Sequence, residues 1–318
     1  MNSSKKIWIA CGVGCAALAW YASARTLQTS SATRPPIIGV AYIALATNDM
    51  AAARKFYGDH LGYAALDPGP SGSDTAGTYF KVNDQQYIEV FPDLKSEMQD
   101  RLSRIGFETT NARQLRDYLA SRNVTVPEIV KADHEGNLSF KIKDPEGHEV
   151  EFVQYMPGSL QSRHFGKLLP DTRVSKHMIH VGFIVQDRAV EDALFKDILG
   201  YQVMWYGGKK EDEVDYVDMR VPDGSDWLEY MLNVHNPSVK TRGVMNHLAL
   251  GVESIQPPYQ TLLSRGLTPP APPKIGVDGK WQLNLYDPNE TRAELMEFVP
   301  MRKPCCSPML KPPVMKKD

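Results

Sequence analysis

Cysteine is scarce, charge is nearly balanced, and no apolar run is long enough to cross a bilayer with ease. Each lack excludes something. The 318 residues include 4 cysteines, and two of these, Cys11 and Cys15, lie in an N-terminal apolar stretch. The other two, Cys305 and Cys306, are adjacent, so no disulfide framework holds the fold. Vicinal cysteines can bind a soft metal or close a ring disulfide. Among Pro304, Pro308, Pro312 and Pro313 they read first as part of an extended surface tail, residues 301–318. A formal net charge of −2 leaves no electrostatic footprint for nucleic acid. Hydrophobic residues make up 42% and charged residues 23%, which favours a packed core over disorder. The length suits two domains of ordinary size.

Residues 1–24 are a different material. Lys5 and Lys6 precede the apolar run Ile7–Ala19, and Ala22-Ser23-Ala24 offers small residues where a signal peptidase reads. This is a secretory signal layout, with cleavage expected after Ala24. The run is short for a membrane span, so a membrane is a partner only if the segment stays uncleaved. A lipoprotein reading through Cys15 is weaker, because Gly12 stands where a Leu-like residue is usual. The protein is therefore expected to be exported. A cytosolic cofactor such as glutathione would then be less available to it.

What is there is a repeat. Asn246–Val252 alternates apolar and other residues, as a half-buried strand does. Tyr259–Arg265 is helix-like, Asp287-Pro288-Asn289 signals a turn, and Arg292–Phe298 alternates again. Glu294 follows His247 by 47 residues, and Glu151 follows Arg104 by the same interval. Tyr42 to Glu89 is again 47, and His180 to Glu229 is 49. A period of this kind decides the architecture: four strand–helix–strands units. Helices are expected at Met50–Leu61, Ala112–Arg122 and Ala189–Leu199. Asp67–Gly77, Pro157–Lys176, Gly207–Asp215 and Asn233–Lys240 read as loops or connections.

These units resemble the βαβββ modules of the vicinal oxygen chelate superfamily, the glyoxalase, bleomycin-resistance and extradiol-dioxygenase group. The phrases that carry the resemblance are Ala53–Tyr63, Leu194–Tyr201, Asp144-Pro145-Glu146-Gly147 and Asp287-Pro288-Asn289, within about Ile37–Phe298. The resemblance implies an α+β fold: four βαβββ modules paired into two glyoxalase-like domains with curved mixed sheets. The expected division is a linker at 25–36, a first domain at 37–156, a linker at 157–174, and a second domain at 175–300.

In that fold the repeated positions face a cleft. In the second half they are His180, Glu229, His247 and Glu294, a donor set suited to one divalent ion such as Ni, Zn, Fe(II), Mn or Co. In the first half they are Tyr42, Glu89, Arg104 and Glu151. Arginine cannot ligate a metal, but its guanidinium can sit between the two carboxylates in the ion's place. A structural half is the expectation there, with anion binding through Arg104 as the alternative. His148 is expected to face away from the cleft, as is His177, and His60 and His164 to lie on the surface. His235 precedes the fourth unit and is a candidate acid/base group. By resemblance, Glu294 is the catalytic base of a glyoxalase-like lyase or isomerase acting on a small substrate with adjacent oxygens. An extradiol Fe(II) dioxygenase, using His180, His247 and Glu294, is the alternative. It leaves Glu229 surplus and finds Asn284 where such enzymes usually carry Tyr. Non-catalytic ligand sequestration is the third possibility. The sequence does not select a substrate or an oligomeric state.

Overall fold

The computed structural model describes residues 33–66 and 77–309. The expected leader 1–24, most of the linker, nearly all of the loop from Asp67 and the end of the tail lie outside the described residues.

The chain forms two eight-stranded mixed sheets. The first sheet and its helices run β1 (Ile37–Ala46), α1 (Met50–Arg54, continued by a π-helix Lys55–His60), β2 (Ala64–Leu66), β3 (Thr78–Lys81) and β4 (Tyr87–Phe91). Then come β5 (Leu102–Thr109), α2 (Ala112–Ser121), β6 (Lys131–Ala132), β7 (Leu138–Lys143) and β8 (Glu149–Gln154). A short α3 (Leu160–Arg163) stands in the connection. The second set runs β9 (His177–Ile184), α4 (Arg188–Asp192, continued by a π-helix Ala193–Ile198), β10 (Gln202–Gly207), β11 (Tyr216–Arg220), β12 (Trp227–Met231) and α5 (Val239–Met245). It closes with β13 (His247–Val252), α6 (Gln256–Ser264), β14 (Lys274–Ile275), β15 (Trp281–Tyr286) and β16 (Arg292–Glu297).

The spatial orders match: β2-β3-β4-β1-β5-β8-β7-β6, and β10-β11-β12-β9-β13-β16-β15-β14. Each sheet is thus two modules joined where their first strands pair antiparallel, β1 with β5 and β9 with β13. The first strand of each module also pairs parallel with its last, as β1 does with β4 and β13 with β16. Such parallel pairs need the intervening helix as a crossover. Asp49 and Asp187 start the crossover helices by accepting from Ala52 N and Ala189 N, each at 2.9 Å.

Alternation divides each strand between two environments. Ile43, Leu45, Ile88, Val90, Ile105, Phe107, Val150 and Phe152 face one core, which they share with Val181, Phe183, Leu228, Tyr230, Leu248, Leu250 and Leu295. All are essentially solvent-free, and each contributes roughly 1.5–3 kcal/mol by burial. The halves interdigitate there: Phe107 meets Tyr201 edge-on at 5.5 Å, and Tyr118 Oη donates to Ile198 O at 2.7 Å. The opposite faces are left for the clefts.

Two expectations need correction. Helix α5, capped by Ser238, replaces the end of the Asn233–Lys240 connection, because Ser238 can accept from Thr241 N. His60 is buried, not on the surface, since its helix is covered by the segment that carries Thr172 and by Arg265, which donates to His60 O at 2.7 Å. His148 does face away from its cleft. That face is covered by the other half, and the imidazole stacks on Phe183 with centroids 4.2 Å apart.

Candidate metal centre

Strand pairing in the second sheet gathers the four repeated positions. Glu229 stands opposite Gly182 on β9, Ala249 opposite both His180 and Glu294, and His247 opposite Gly182. All four side chains therefore rise from one face of four adjacent strands. Gly182 is needed for this. A Cβ there would lie 2.2 Å from His247 Cε1, so only glycine leaves room for the ring. Gly106 makes the same room beside Tyr42 in the first sheet.

The donor atoms converge. His180 Nε2 and His247 Nε2 are 3.1 Å apart. Glu229 Oε2 lies 2.9 Å from His247 Nε2 and 3.8 Å from His180 Nε2, and Glu294 Oε2 lies 4.0 Å from His180 Nε2. Ligand atoms of His180, His247 and Glu294 all fall within 4.8 Å of one another. Both histidines are fully buried, which holds their pKa values well below the ordinary imidazole value and keeps them neutral. Burial pushes Glu294 up to about 7, Arg292 opposing and Glu229 reinforcing.

This donor set fits a divalent ion. Two neutral imidazoles whose Nε2 atoms face each other can share one proton at most. Nδ1 of His180 has no hydrogen-bond partner among the described residues. Of the permanently charged groups, Arg292 places Nη2 3.8 Å from Glu229 Oε2, and Lys280 acts on Glu294 from farther off. A cation held by two nitrogens and two oxygens would satisfy both lone pairs and both charges, as in zinc and related sites.

Some neighbours were not singled out from the sequence. Arg292 and Trp227 stand two residues before Glu294 and Glu229, so strand alternation already puts them on the same face. Trp227 packs against His180 with centroids 5.0 Å apart. Asp218 pairs across from Glu229, and burial together with Glu229 holds its carboxyl well above the ordinary range. Lys280 is fully buried, 4.6 Å over the Trp227 ring, and no local pattern indicates it. Asn284 stands opposite Glu294 with its Oδ1 buried. His235 is exposed in the loop before α5 and is not among the cluster's partners.

The first sheet holds the arginine arrangement. Arg104 Nη2 is 2.9 Å from Glu89 Oε2, and Arg104 Nε is 3.0 Å from Glu151 Oε2. The guanidinium also lies 5.4 Å from the Tyr42 ring centroid and 5.2 Å from that of Phe91. A cavity of about 440 Å³ opens beside it, lined also by Tyr79, Asp133, Glu135 and Tyr155. Nε and Nη2 of the guanidinium are engaged by the two carboxylates, and Asp133 and Glu135 add two more to the wall of the pocket.

Residues 39–152 match the Glyoxalase/Bleomycin resistance protein/Dioxygenase superfamily. No curated protein matches the chain. Among solved structures, the Mn(II)-bound glyoxalase from Novosphingobium aromaticivorans is similar over 83% of each chain, at 16% identity and TM-score 0.63. A catechol 2,3-dioxygenase is similar over 89% of this chain and 96% of its own, at 16% identity and TM-score 0.63. Homoprotocatechuate 2,3-dioxygenase from Brevibacterium fuscum, in an anaerobic complex with 3,4-dihydroxyphenylacetate, is similar over 83% and 82% of the two chains, at 18% identity and TM-score 0.57. At these identities the likeness is one of fold.

Proposed function

We propose that this chain is a member of the vicinal oxygen chelate superfamily and that its second sheet holds the active site. His180, Glu229, His247 and Glu294 bind one divalent cation there. The reaction is that of a glyoxalase-like lyase or isomerase on a small substrate with adjacent oxygens. The observation that carries the proposal is the contrast between the halves: donors converge in the second, whereas Arg104 fills the equivalent place in the first.

The bound ion would polarise the substrate oxygens as a Lewis acid. The chain's own residues do the rest. Glu294 accepts the substrate proton; its burial favours proton uptake near neutral pH, and a bound cation opposes that rise. Arg292 and Lys280 supply positive charge near the carboxylates. Trp227 holds the His180 ring in place.

Glu229 favours redox-neutral chemistry. Four protein donors leave at most about two positions on a six-coordinate ion, which a bidentate substrate fills. The second reading, an extradiol Fe(II) dioxygenase, is favoured by the closeness of His180, His247 and Glu294, a two-histidine, one-carboxylate trio. Turnover measured with Mn(II) or Ni(II) under nitrogen separates them. Activity without oxygen supports the isomerase or lyase; oxygen consumption with Fe(II) that survives Glu229→Ala replaces it with the dioxygenase. We also propose export through residues 1–24, on the strength of Lys5-Lys6, the apolar run and Ala22-Ser23-Ala24.

A further inference from the structure

A second cluster of metal-ligating side chains lies at the seam between the halves. Asp144 and His148 flank the turn between β7 and β8, and Glu191 projects from α4 of the other half. Ligand atoms of all three fall within 4.8 Å of one another, and all three residues are buried. His148 N and Nδ1 each lie 2.7 Å from an Asp144 carboxylate oxygen. Nδ1 therefore carries the proton, and Nε2 presents its lone pair. That Nε2 has no hydrogen-bond partner among the described residues, and neither has Glu191 Oε2, although Glu191 is 0% exposed. Glu191 Oε1 accepts from Glu146 N at 3.2 Å, so the side chain is fixed in place.

The opposite seam is a built-in control. Position for position after the caps Asp49 and Asp187, Ala53 stands for Glu191 and Tyr57 for Phe195. In the turns, Asp287 stands for Asp144 and Thr291 for His148. There the aspartate is satisfied by Tyr57 Oη at 2.9 Å and by the N–H groups of Asn289 and Thr291. The Asp144 seam has lost the tyrosine hydroxyl and gained an imidazole and a carboxylate together. A carboxylate-oriented imidazole with its far nitrogen free is the usual support for a cation.

We propose that this seam binds a divalent cation of the zinc class. His148 Nε2 and the carboxylate of Glu191 are its protein ligands, Asp144 orients the imidazole from Nδ1, and the ion staples the two halves together. The competing occupant is a proton, since burial and neighbouring Asp144 push Glu191 up to about 8. Glu191→Gln separates the two, because it mimics the protonated acid. The full chain is equilibrated with zinc, desalted and assayed for zinc and protein, in the wild type, in His180→Ala with His247→Ala, and with His148→Ala or Glu191→Gln added to that pair. We expect about one equivalent to survive loss of His180 and His247, and to be lost, with at least roughly tenfold weaker affinity, on adding either seam substitution. Chelator should lower Tm of the His180/His247 variant but not of its Glu191→Gln derivative. If that derivative keeps the same zinc content and the same chelator response, the site holds a proton and the proposal fails, whatever becomes of the metal centre in the second sheet.

Discussion

Arg104→Ala tests the idea that a guanidinium has taken an ion's place. The side chains of Glu89 and Glu151 are 5% and 7% exposed, and that of Arg104 is 20% exposed. Removing one partner of such a pair strands the other charges in a medium that solvates them poorly, at a cost of about 3–5 kcal/mol. For a protein of this size each kcal/mol moves Tm by about 2–4 °C, so the drop should be roughly 6–20 °C. The cost depends on pH. Burial raises the Glu89 carboxyl from 4.5 to about 8, and Arg104 opposes the rise. A carboxyl raised on folding stabilises the fold below its unfolded value, and that contribution is lost as pH climbs through the folded one. Without Arg104 the rise is larger and more is lost. The penalty should therefore be smaller at about pH 5 than at about pH 8.5. Urea denaturation of wild type and variant at both pH values gives the comparison. Adding Glu89→Gln and Glu151→Gln to the variant should recover part of the loss, because no charge is then stranded. A penalty under about 1 kcal/mol at both pH values, or one that grows toward acid, would refute the role given to Arg104.

Three further outcomes are expected. Elemental analysis should show that His180→Ala with His247→Ala removes about one equivalent of divalent metal, whereas Arg104→Ala removes none. Glu294→Gln should lower kcat by roughly 10²–10⁴-fold while substrate binding to the metal-loaded protein changes far less; equal losses in both would remove Glu294 as the base. Mass spectrometry of protein recovered from its own cells should find an N-terminus at Arg25, and intact Met1–Ala24 on a soluble cytosolic form would contradict export.

Much of the fold was legible because the repeat is covalent information. An interval of about 47 residues between strand positions recurs whatever the tertiary context, and alternation assigns each strand residue to a face. Those two facts marked His180, Glu229, His247 and Glu294 as equivalent positions; the family resemblance implied that they share a cleft, and the structure brings their side chains together, with Arg104 between Glu89 and Glu151 in the other half. Alternation says which face a side chain takes, but not what covers that face. His148 was correctly turned away from its cleft, yet only the packing of the other half shows that it is buried on Phe183 beside Glu191. The same holds for Lys280, which reaches Trp227 from a turn with no periodicity of its own, and for His60 beneath Arg265. Composition and spacing determine the modules and their inward-facing residues, since these depend on local backbone geometry. The seam between the halves depends on contacts between residues tens of positions apart in the chain, so only the tertiary structure decides what lies within it.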